Sequence, residues 1–423
     1  HPLDMDFSDF DSFVAATHAI TENPNAQTLH FAIAGTPKVL SLKPDDSGYA
    51  YHAPADYAEW SEVVSRAVRH IKDDLGLAGA AYMVREEPET YYYWRGRDRQ
   101  PGDPKLLDDF IEMYVATWHA VKAADTAATV GGPMTIAASR DVNIAFGGTW
   151  GLEDFLAALA AYNAERPDAA VTLDEVIWQG YDWVDDGTLA DDAARARDAR
   201  AQNGFSPDTP QVIMGWNTDY AGGTTSLQHH ASFFAANVIE LINPGGPPLV
   251  ARAFAWPFDN DFRRPNLAFI TVPPLPEYVN HENDFGGYGE TEGLSPHTER
   301  CKRPAYAALQ VLKGMDSGRF IRLTLPPDST LEAIAARDDA NQRLAAMLVN
   351  NTDTEQLVTI TFANLPFGAD SIVSTIRQID ETHSTDCKGL EVGTQSRLAV
   401  SGGATGVSLR LAPYSVVEVV LTP

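Results

Sequence analysis

The chain has few cysteines, few basic residues and no long hydrophobic run. Two cysteines, Cys301 and Cys387, are too few for a disulfide scaffold or a four-cysteine zinc site, and leave one bridge or two thiols as alternatives. No run of about 18 apolar residues exists, so we expect no membrane-spanning helix. The chain has 31 Lys and Arg but 58 Asp and Glu, which gives a net charge of −27. Because such a charge repels phosphates and anionic lipid surfaces, we expect neither a nucleic acid nor a membrane partner.

Motifs for cofactor or metal binding are also missing. The pairs Gly222-Gly223 and Gly286-Gly287 do not lie between a strand and a helix with a following lysine, so neither predicts a phosphate cradle. His229 and His230 are neighbours on a predicted helix, where their side chains point about 100° apart, unlike a pair of zinc ligands. The sequence therefore predicts no cofactor and no metal.

The chain opens at His1 without a charged and then apolar leader. We expect an extracellular or periplasmic protein whose leader is absent from this chain, with a cytoplasmic location as the alternative. A neutral or weakly charged substrate suits the acidic composition, and a homo-oligomer is compatible with it.

Helical and strand-like segments alternate from residue 1 to about residue 316. Apolar residues at helical spacing between Asp56 and Gly76 are followed by the short apolar run Ala80 to Val84 and then by a polar loop. Further helices are predicted near 106–123, 152–163, 190–202 and 227–242, and strands near 127–130, 176–178, 211–214 and 249–256. Repeated units of this kind favour a (β/α)8 TIM-type barrel, in which chemistry belongs at the C-terminal strand ends.

From residue 317 the pattern changes to short alternating runs separated by turns. About seven short strands at regular spacing predict an antiparallel β-sandwich of roughly 100 residues. The fold class is therefore α/β, with a barrel domain over residues 1–316 and a C-terminal β-sandwich domain over 317–423. Asn350-Asn351-Thr352 in this region is a glycosylation sequon.

The strongest candidate site is a pair of carboxylates, Glu86 and Glu87, directly after the strand Ala80 to Val84. Pro88 fixes the loop, and the string Tyr91-Tyr92-Tyr93-Trp94 supplies flat surfaces of the kind that stack on sugar rings. A glutamate desolvated there would have a raised pKa and could protonate a glycosidic oxygen. Ordinary surface charge is the alternative explanation for adjacent glutamates.

The segment from Trp60 to Trp94 resembles the acid/base region of glycoside hydrolase family 39, which includes β-xylosidases and α-L-iduronidases. That family usually shows Asn-Glu-Pro at the end of strand four of a clan A barrel and then an aromatic-tryptophan pair, and this chain has Glu86-Glu87-Pro88 and Tyr93-Trp94. Weaker matches follow in order at 130–133, 177–181, 254–259, 285–289 and 302–309. The resemblance implies a clan A barrel with an appended sandwich and Glu87 as general acid/base.

The resemblance also implies how the barrel begins and where a substrate binds. Thr28 to Ala34 is similar to the family's third strand, so the first two strands would come from an upstream segment or another chain, unless the register is shifted by two. Segments similar to the family's binding loops, together with tryptophans at predicted strand ends, give the substrate-binding candidates. These are Trp94, Gln179, Tyr181, Trp216, Trp256 and Tyr288.

Three positions depart from the family pattern. The strand-seven nucleophile corresponds to Gly215, the asparagine before the acid/base to Glu86, and the strand-six histidine to Gln179. Glycine carries no nucleophile, so a double displacement cannot run from position 215. Four explanations stay open: an inverting enzyme with a distant base, Glu86 as base or nucleophile beside Glu87, an inactive carbohydrate binder, or an engineered replacement of a glutamate. The candidate distant bases are Asp182, Asp185, Asp219 and Asp259.

The sequence therefore predicts a glycoside hydrolase that cleaves a glycosidic bond in an oligo- or polysaccharide, with Glu87 as general acid/base. The alternatives are a non-catalytic carbohydrate-binding protein on a degenerate barrel, and a polysaccharide lyase or transglycosylase using Glu86 and Glu87. The sequence does not identify the sugar. A uronic acid stays an alternative substrate, because Arg85, Arg95 and Arg97 lie close in sequence to the acid and an arginine could bind its carboxylate.

Overall fold

The chain divides into two compact units. The computed structural model describes residues 5–20, 29–181, 188–217, 226–242, 247–255, 270–271, 301–302, 304–315, 319–321, 323–368, 370–385 and 388–423. The first unit comprises His1–Gly180, Asp191–Met214 and Val250–Ala253, and the second comprises Tyr181–Ala190, Gly215–Leu249 and Phe254–Pro423. No helix in these described ranges is long and apolar enough to cross a membrane.

The first half of the chain folds around a parallel six-stranded sheet in which each strand lies beside the next one along the chain. Helices connect the strands, as the alternation in the sequence predicts. The strands are β1 (His30–Ile33), β2 (Ala81–Val84), β3 (Thr129–Thr135), β4 (Glu175–Tyr181), β5 (Gln211–Asn217) and β6 (Arg252–Ala255). The helices are α1 (Ser8–Ile20), α2 (Tyr57–Arg69), α3 (Lys105–Ala124), α4 (Arg140–Ala145), α5 (Leu152–Glu165) and α6 (Leu189–Gln202).

Helices α2 and α3 precede and follow β2, the strand that leads to the candidate carboxylates. Asp56 caps α2 by accepting the N–H of Ala58 at 2.6 Å, and Gly76, in the left-handed region at φ +71°, lies in the turn before β2. The two helices pack together, and the buried Trp60 indole N–H donates to Thr117 Oγ1 at 2.9 Å. The start and end of the β2 segment are therefore set by a capped and packed helix pair.

The six-stranded sheet is curled, because side chains from non-neighbouring strands meet at its N-terminal end. His30 is the first residue of β1 and Glu175 the first of β4, yet His30 Nε2 lies 2.9 Å from Glu175 Oε2. In a flat sheet three strand spacings would separate them by about 14 Å. Arg252, the first residue of β6, pairs with the other carboxylate oxygen at 2.8 Å. The strands therefore wrap around a common interior.

Apolar side chains from four of these strands pack together on one face of the sheet. They come from β2, β3, β4 and β5, and are Met83, Met134, Ile177, Val212 and Met214. Ile177 and Val212 are fully buried. Such a packed layer is the filling expected of a barrel-type interior.

The C-terminal region forms two antiparallel sheets that share a core. The larger sheet has the order β14-β13-β16-β11-β10-β9, and the smaller one pairs β12 with β15. Alternate residues of β15 are buried, as expected when one sheet face meets the core. The strands are β9 (Arg319–Ile321), β10 (Leu331–Asp338), β11 (Arg343–Asn350), β12 (Gln356–Phe362), β13 (Ser371–Ile379), β14 (Thr394–Ala399), β15 (Thr405–Leu411) and β16 (Ser415–Thr422).

Two helices of the second unit pack on the larger of these sheets. Helix α7 (Leu227–Ile242) contacts β10, β11 and β16, and α8 (Pro304–Met315) contacts α7, β10 and β13. A short pair, β7 (Ile270–Thr271) and β8 (Cys301–Lys302), completes the described elements of this unit. The domain boundary predicted between residues 316 and 317 stays a prediction, since residues 316–318 lie outside the described ranges.

The glycosylation sequon of this region has a structural role. Asn350 is fully buried, and its side-chain amide donates to the carbonyls of Thr354 at 2.7 Å and Ala412 at 2.8 Å. Its acceptor oxygen binds the hydroxyl of Thr352 at 2.7 Å. The Asn350 amide is therefore engaged in the folded chain and is not presented for glycosylation.

Candidate active site

The candidate carboxylates lie where β2 ends between β1 and β3. The Arg85 N–H donates to the Ile33 carbonyl at 3.2 Å, and the Glu87 N–H donates to the Met134 carbonyl at 2.9 Å. Arg85 and Glu87 both have positive φ, +60° and +44°. This is a strained conformation for non-glycine residues and is concentrated at functional sites. The backbone is therefore held on both sides at the C-terminal end of the strand, where barrel enzymes carry their chemistry.

The Glu87 carboxyl is the most perturbed group that remains open to solvent at this end. Its Oε1 accepts a hydrogen bond from Gln179 Nε2, at 3.1 Å, on β4. Burial, reinforced by the charge of Glu86, raises the pKa of Glu87 to about 7, while the Gln179 hydrogen bond opposes the rise. An acid with such a pKa keeps a large protonated fraction at neutral pH.

Glu86 is the more open of the two adjacent glutamates. Its side chain is exposed, yet the surrounding protein partly desolvates the carboxyl and raises the pKa of Glu86. Solvent access combined with desolvation is expected of a carboxyl that faces a cleft. The charge of Glu86 in turn favours the protonated form of Glu87.

A tight turn follows Glu87. The Thr90 N–H and hydroxyl both donate to the Glu87 carbonyl at 3.0 Å, and Pro88 occupies the second turn position, which its fixed φ suits. The turn carries a third glutamate, Glu89, into the interior, where its side chain is almost fully buried. Its Oε1 accepts the N–H of Ile136 at 2.6 Å, just beyond β3. Glu89 was missed by the sequence analysis, because the third acid of Glu86-Glu87-Pro88-Glu89 looks like surface charge until its burial is known.

The arginine before the pair points away from solvent. Arg85 is buried and donates to the carbonyls of Tyr93 at 2.9 Å and Ala50 at 2.8 Å, and to Thr36 Oγ1 at 3.1 Å. Its guanidinium lies 4.5 Å from the ring centroid of Trp94. Burial lowers the pKa of Arg85. Arg85 therefore supports the loop from behind.

The other two nearby arginines are also engaged. Arg95 pairs with Asp46 at 3.2 Å, and Arg97 pairs with Glu112 at 2.9 Å. The three arginines considered as partners for a uronic acid carboxylate are thus bound to groups within the protein. They provide no free cation for a sugar carboxylate in this conformation.

The six predicted substrate-binding residues have different placements. Gln179 is brought to Glu87, as described above. Trp94 is fully buried, with its indole N–H donating to the Leu106 carbonyl at 2.9 Å, so it stacks on Arg85 and presents no face to a sugar. In the second unit, Trp216 is buried and stacks on Phe234 with centroids 5.1 Å apart. The side chain of Tyr181, and Trp256 and Tyr288 entirely, lie outside the described residues.

The aromatic string after the turn does provide one accessible ring. Tyr92 is 56% exposed and packs edge-on against Tyr93, with centroids 4.8 Å apart. Tyr51 lies 6.1 Å from Tyr92, and Arg95 lies over Tyr51. A sugar-stacking surface on this loop would therefore use Tyr92 rather than Trp94.

Position 215, where the resemblance places a nucleophile, has a backbone that favours glycine. Gly215 lies near the end of β5 at φ +102°. A side chain at that φ is strained. The distant bases Asp182, Asp185, Asp219 and Asp259, and the side chains of Cys301 and Cys387, lie outside the described residues. Within the described ranges, no group of three or more His, Cys, Asp or Glu side chains is arranged to hold a metal ion.

Comparisons with known proteins relate the chain to glycosidases. No family model matches it. A β-xylosidase from Geobacillus stearothermophilus is 22% identical over 224 residues, which is 49% of this chain and only 40% of that relative. A glucosidase structure from Croceicoccus marinus superposes with a TM-score of 0.66 at 19% identity, covering 100% of this chain and 83% of that one.

A family 39 enzyme from Xanthomonas axonopodis pv. citri gives a TM-score of 0.63 at 17% identity, covering 99% of this chain and 83% of the other. The matches confirm the resemblance to family 39 and the barrel-type fold with a C-terminal β-rich region.

Proposed function

We propose that the chain is a glycoside hydrolase in which Glu87 is the general acid. In this reaction the Glu87 proton passes to the glycosidic oxygen as the bond from that oxygen to the anomeric carbon breaks. Water supplies the hydroxyl of the new hemiacetal, and its remaining proton passes to a base. The products are a reducing sugar and an alcohol or shorter saccharide.

The observation that carries this proposal is the state of the Glu87 carboxyl. It lies at a C-terminal strand end, keeps partial access to solvent, and has a pKa of about 7 because of burial and the charge of Glu86. A glutamate of ordinary pKa would be ionised at neutral pH and would have no proton to donate. The Gln179 amide fixes the orientation of the carboxyl by its hydrogen bond to Oε1.

The substrate class proposed is an oligo- or polysaccharide with a neutral sugar at the cleavage point. The named relatives are a β-xylosidase and a glucosidase, which supports a neutral five- or six-carbon ring. A neutral sugar also agrees with the contacts of Arg85, Arg95 and Arg97, which all bind groups within the protein. Tyr92 is the exposed ring that could stack on a bound sugar.

We propose that the second carboxylate of the reaction, the one that activates water, is not at position 215. The φ of +102° at Gly215 favours glycine itself, which supports native divergence over loss of a glutamate from an unchanged backbone. With no nucleophile there, a distant carboxylate that activates water gives inversion. Glu86 is the alternative base because it adjoins Glu87 and stays open to solvent.

The missing nucleophile also favours a second candidate function, a carbohydrate-binding protein without turnover. Such a protein would keep the exposed Tyr92 and the fold but would not need a Glu87 proton. The two functions differ in their response to Glu87→Gln. Turnover would be lost in the enzyme, whereas binding would persist in the binder.

The test is a panel of aryl glycosides and reduced oligosaccharides, with the anomer of the first product followed by NMR. We expect turnover with inversion, and loss of kcat by about 10² to 10⁴-fold in Glu87→Gln. Glu332→Gln is the matched control, since Glu332 is a half-buried glutamate of raised pKa on β10 of the sandwich. Saturable sugar binding without turnover would overturn the hydrolase and support the binder, and full activity of Glu87→Gln would remove Glu87 from the mechanism.

A further inference from the structure

We propose that Glu89 is a positioning residue for Glu87, which it serves as a neutral carboxylic acid that holds the Glu87 turn against the end of β3. This inference rests on the proposed function only in calling Glu87 the acid. The structural claim concerns Glu89 itself.

Glu89 connects the turn to two other segments of the chain through hydrogen bonds. The Glu89 carboxyl accepts the Ile136 N–H at 2.6 Å, and the Glu89 carbonyl accepts the Thr149 N–H at 2.9 Å. Glu87, two residues earlier, is bound to Met134 of the same β3 segment. Glu89 therefore joins the turn to the strand end at a second point, so that the position of Glu87 relative to β3 is fixed on both sides.

The surroundings of the Glu89 carboxyl favour its uncharged form. Glu89 is 1% exposed, and its Oε2 is buried without a hydrogen-bond partner in the described part of the chain. A buried ionised carboxylate needs a cation or several donors, and the described contacts supply only the backbone N–H groups of Ile136 and of Glu89 itself, with no cation. A neutral acid needs far less compensation. The pKa of Glu89 is accordingly raised well above its usual range, by burial first and also by the charge of Glu87.

The groups that act on the two carboxyls are few. Among the described residues, the charged group that acts on Glu89 is Glu87, and its contacts from other elements, Ile136 and Gly148, are uncharged. Glu87 is acted on by Glu86 and by the neutral amide of Gln179. The charge of ionised Glu87 raises the pKa of Glu89 further, and a neutral Glu89 contributes position without adding a negative charge beside the acid.

The experiment compares Glu89→Gln with Glu89→Leu. Glutamine retains an acceptor for the Ile136 N–H and imitates the neutral acid, while leucine has a similar size and leaves that N–H unpaired. The readout is the pKa of Glu87, followed by NMR of glutamate labelled at the side-chain carboxyl carbon and assigned with Glu87→Gln. Glu332→Gln is the control for any distant effect of removing a desolvated glutamate.

We expect Glu89→Gln to leave the pKa of Glu87 within about 0.3 of the parent value, because the charge near Glu87 is unchanged. In Glu89→Leu we expect that pKa to fall by at least about 0.5 toward the ordinary range, as the loosened turn admits water. On an active substrate, kcat of Glu89→Leu should fall at least about tenfold with KM little changed. If Glu89→Leu does not fold, Glu89→Asn, whose shorter amide cannot reach Ile136, takes its place.

Two outcomes would overturn the inference. If Glu87 titrates alike in the parent chain and Glu89→Leu, Glu89 does not position it. If Glu89→Gln shifts the Glu87 pKa as far as Glu89→Leu does, the charge of Glu89 matters and the residue is not a neutral acid. An inactive parent chain that still shows the expected titrations would remove the proposed hydrolase function and keep the positioning role.

Discussion

Desolvated glutamates have charged partners at one end of the six-stranded sheet and lack them at the other. At the N-terminal end, Glu175 has one oxygen bonded to His30 and the other to Arg252. At the C-terminal end, Glu86, Glu87 and Glu89 follow one another within four residues, and the adjacent cation Arg85 is bonded to carbonyls instead. Removing one partner of a compensated buried carboxylate destabilises a fold, whereas a group of uncompensated carboxyls is retained at a cost in stability and is typical of functional sites.

The largest expected effect comes from making the same substitution at both ends. Glu175→Gln removes the charge that His30 and Arg252 share and should lower the free energy of unfolding by about 3 to 5 kcal/mol. Glu87→Gln removes a desolvated charge that lacks a cation and should raise stability at pH 8. Urea unfolding of both variants and of the parent chain measures the difference. Equal destabilisation by the two substitutions would contradict the distinction between the ends.

The raised pKa of Glu89 makes the stability of the folded chain depend on pH. The pKa of Glu89 is raised in the folded chain, so the contribution of this group to stability is largest below the unfolded value of about 4.5 and is lost as pH rises toward the folded value. Each such group costs up to about 1.4 kcal/mol per pH unit in that window. Glu89→Gln should therefore gain stability over the parent chain between pH 5 and pH 7.

Unfolding free energies measured at pH 5, 6, 7 and 8 test this slope. Glu332→Gln serves as the control, and should show a smaller gain because Glu332 is only half-buried. A stability difference between Glu89→Gln and the parent chain that does not change with pH would mean that Glu89 has an ordinary pKa in the folded protein.

Gly215→Ala tests whether the backbone near the end of β5 tolerates a side chain. At φ +102° a side chain is strained, so Gly215→Ala should lower the free energy of unfolding by about 1 to 2 kcal/mol. Gly314→Ala is a matched control, because Gly314 lies within α8, where an added methyl group would lie in ordinary contact with the Arg343 guanidinium at 3.6 Å and where alanine favours a helix. A stable Gly215→Ala would show that the backbone accepts a side chain, which would favour the explanation of a replaced glutamate.

Much of the fold could be predicted from the spacing of apolar residues along the chain. Helices α2 and α3 and strand β2 lie where the spacing of apolar residues indicates them. Among the described residues of the sandwich, β10 (Leu331–Asp338) is a strand that the sequence analysis did not predict. Its segment is rich in alanine and buried on both faces, so it lacks the alternation that identifies a half-buried strand. The salt bridges that show the curl of the sheet join residues 145 and 77 positions apart, which no local pattern predicts.

The candidate site was predictable in part for the same reason. Glu86 and Glu87 could be proposed because they follow an apolar strand and precede a proline. Trp94 was expected at a binding surface, but it is buried beneath Arg85, since sequence proximity to the acid does not show which way a ring points. Glu89 could not be recognised, because its role depends on contacts with Ile136 and Thr149, far along the chain.

The smallest expected effect is the shift in the pKa of Glu87 when the charge of Glu86 is removed. The charge of Glu86 contributes to the raised pKa of Glu87, so Glu86→Gln should lower that pKa from about 7, by about half a unit for a partly solvated pair. A general acid acts in its protonated form, so the alkaline limb of kcat/KM should move to lower pH by the same amount. Glu332→Gln should leave the limb in place. A limb that moves to higher pH would mean that Glu86 stabilises ionised Glu87, and a limb that disappears would mean that Glu86 itself titrates as the acid.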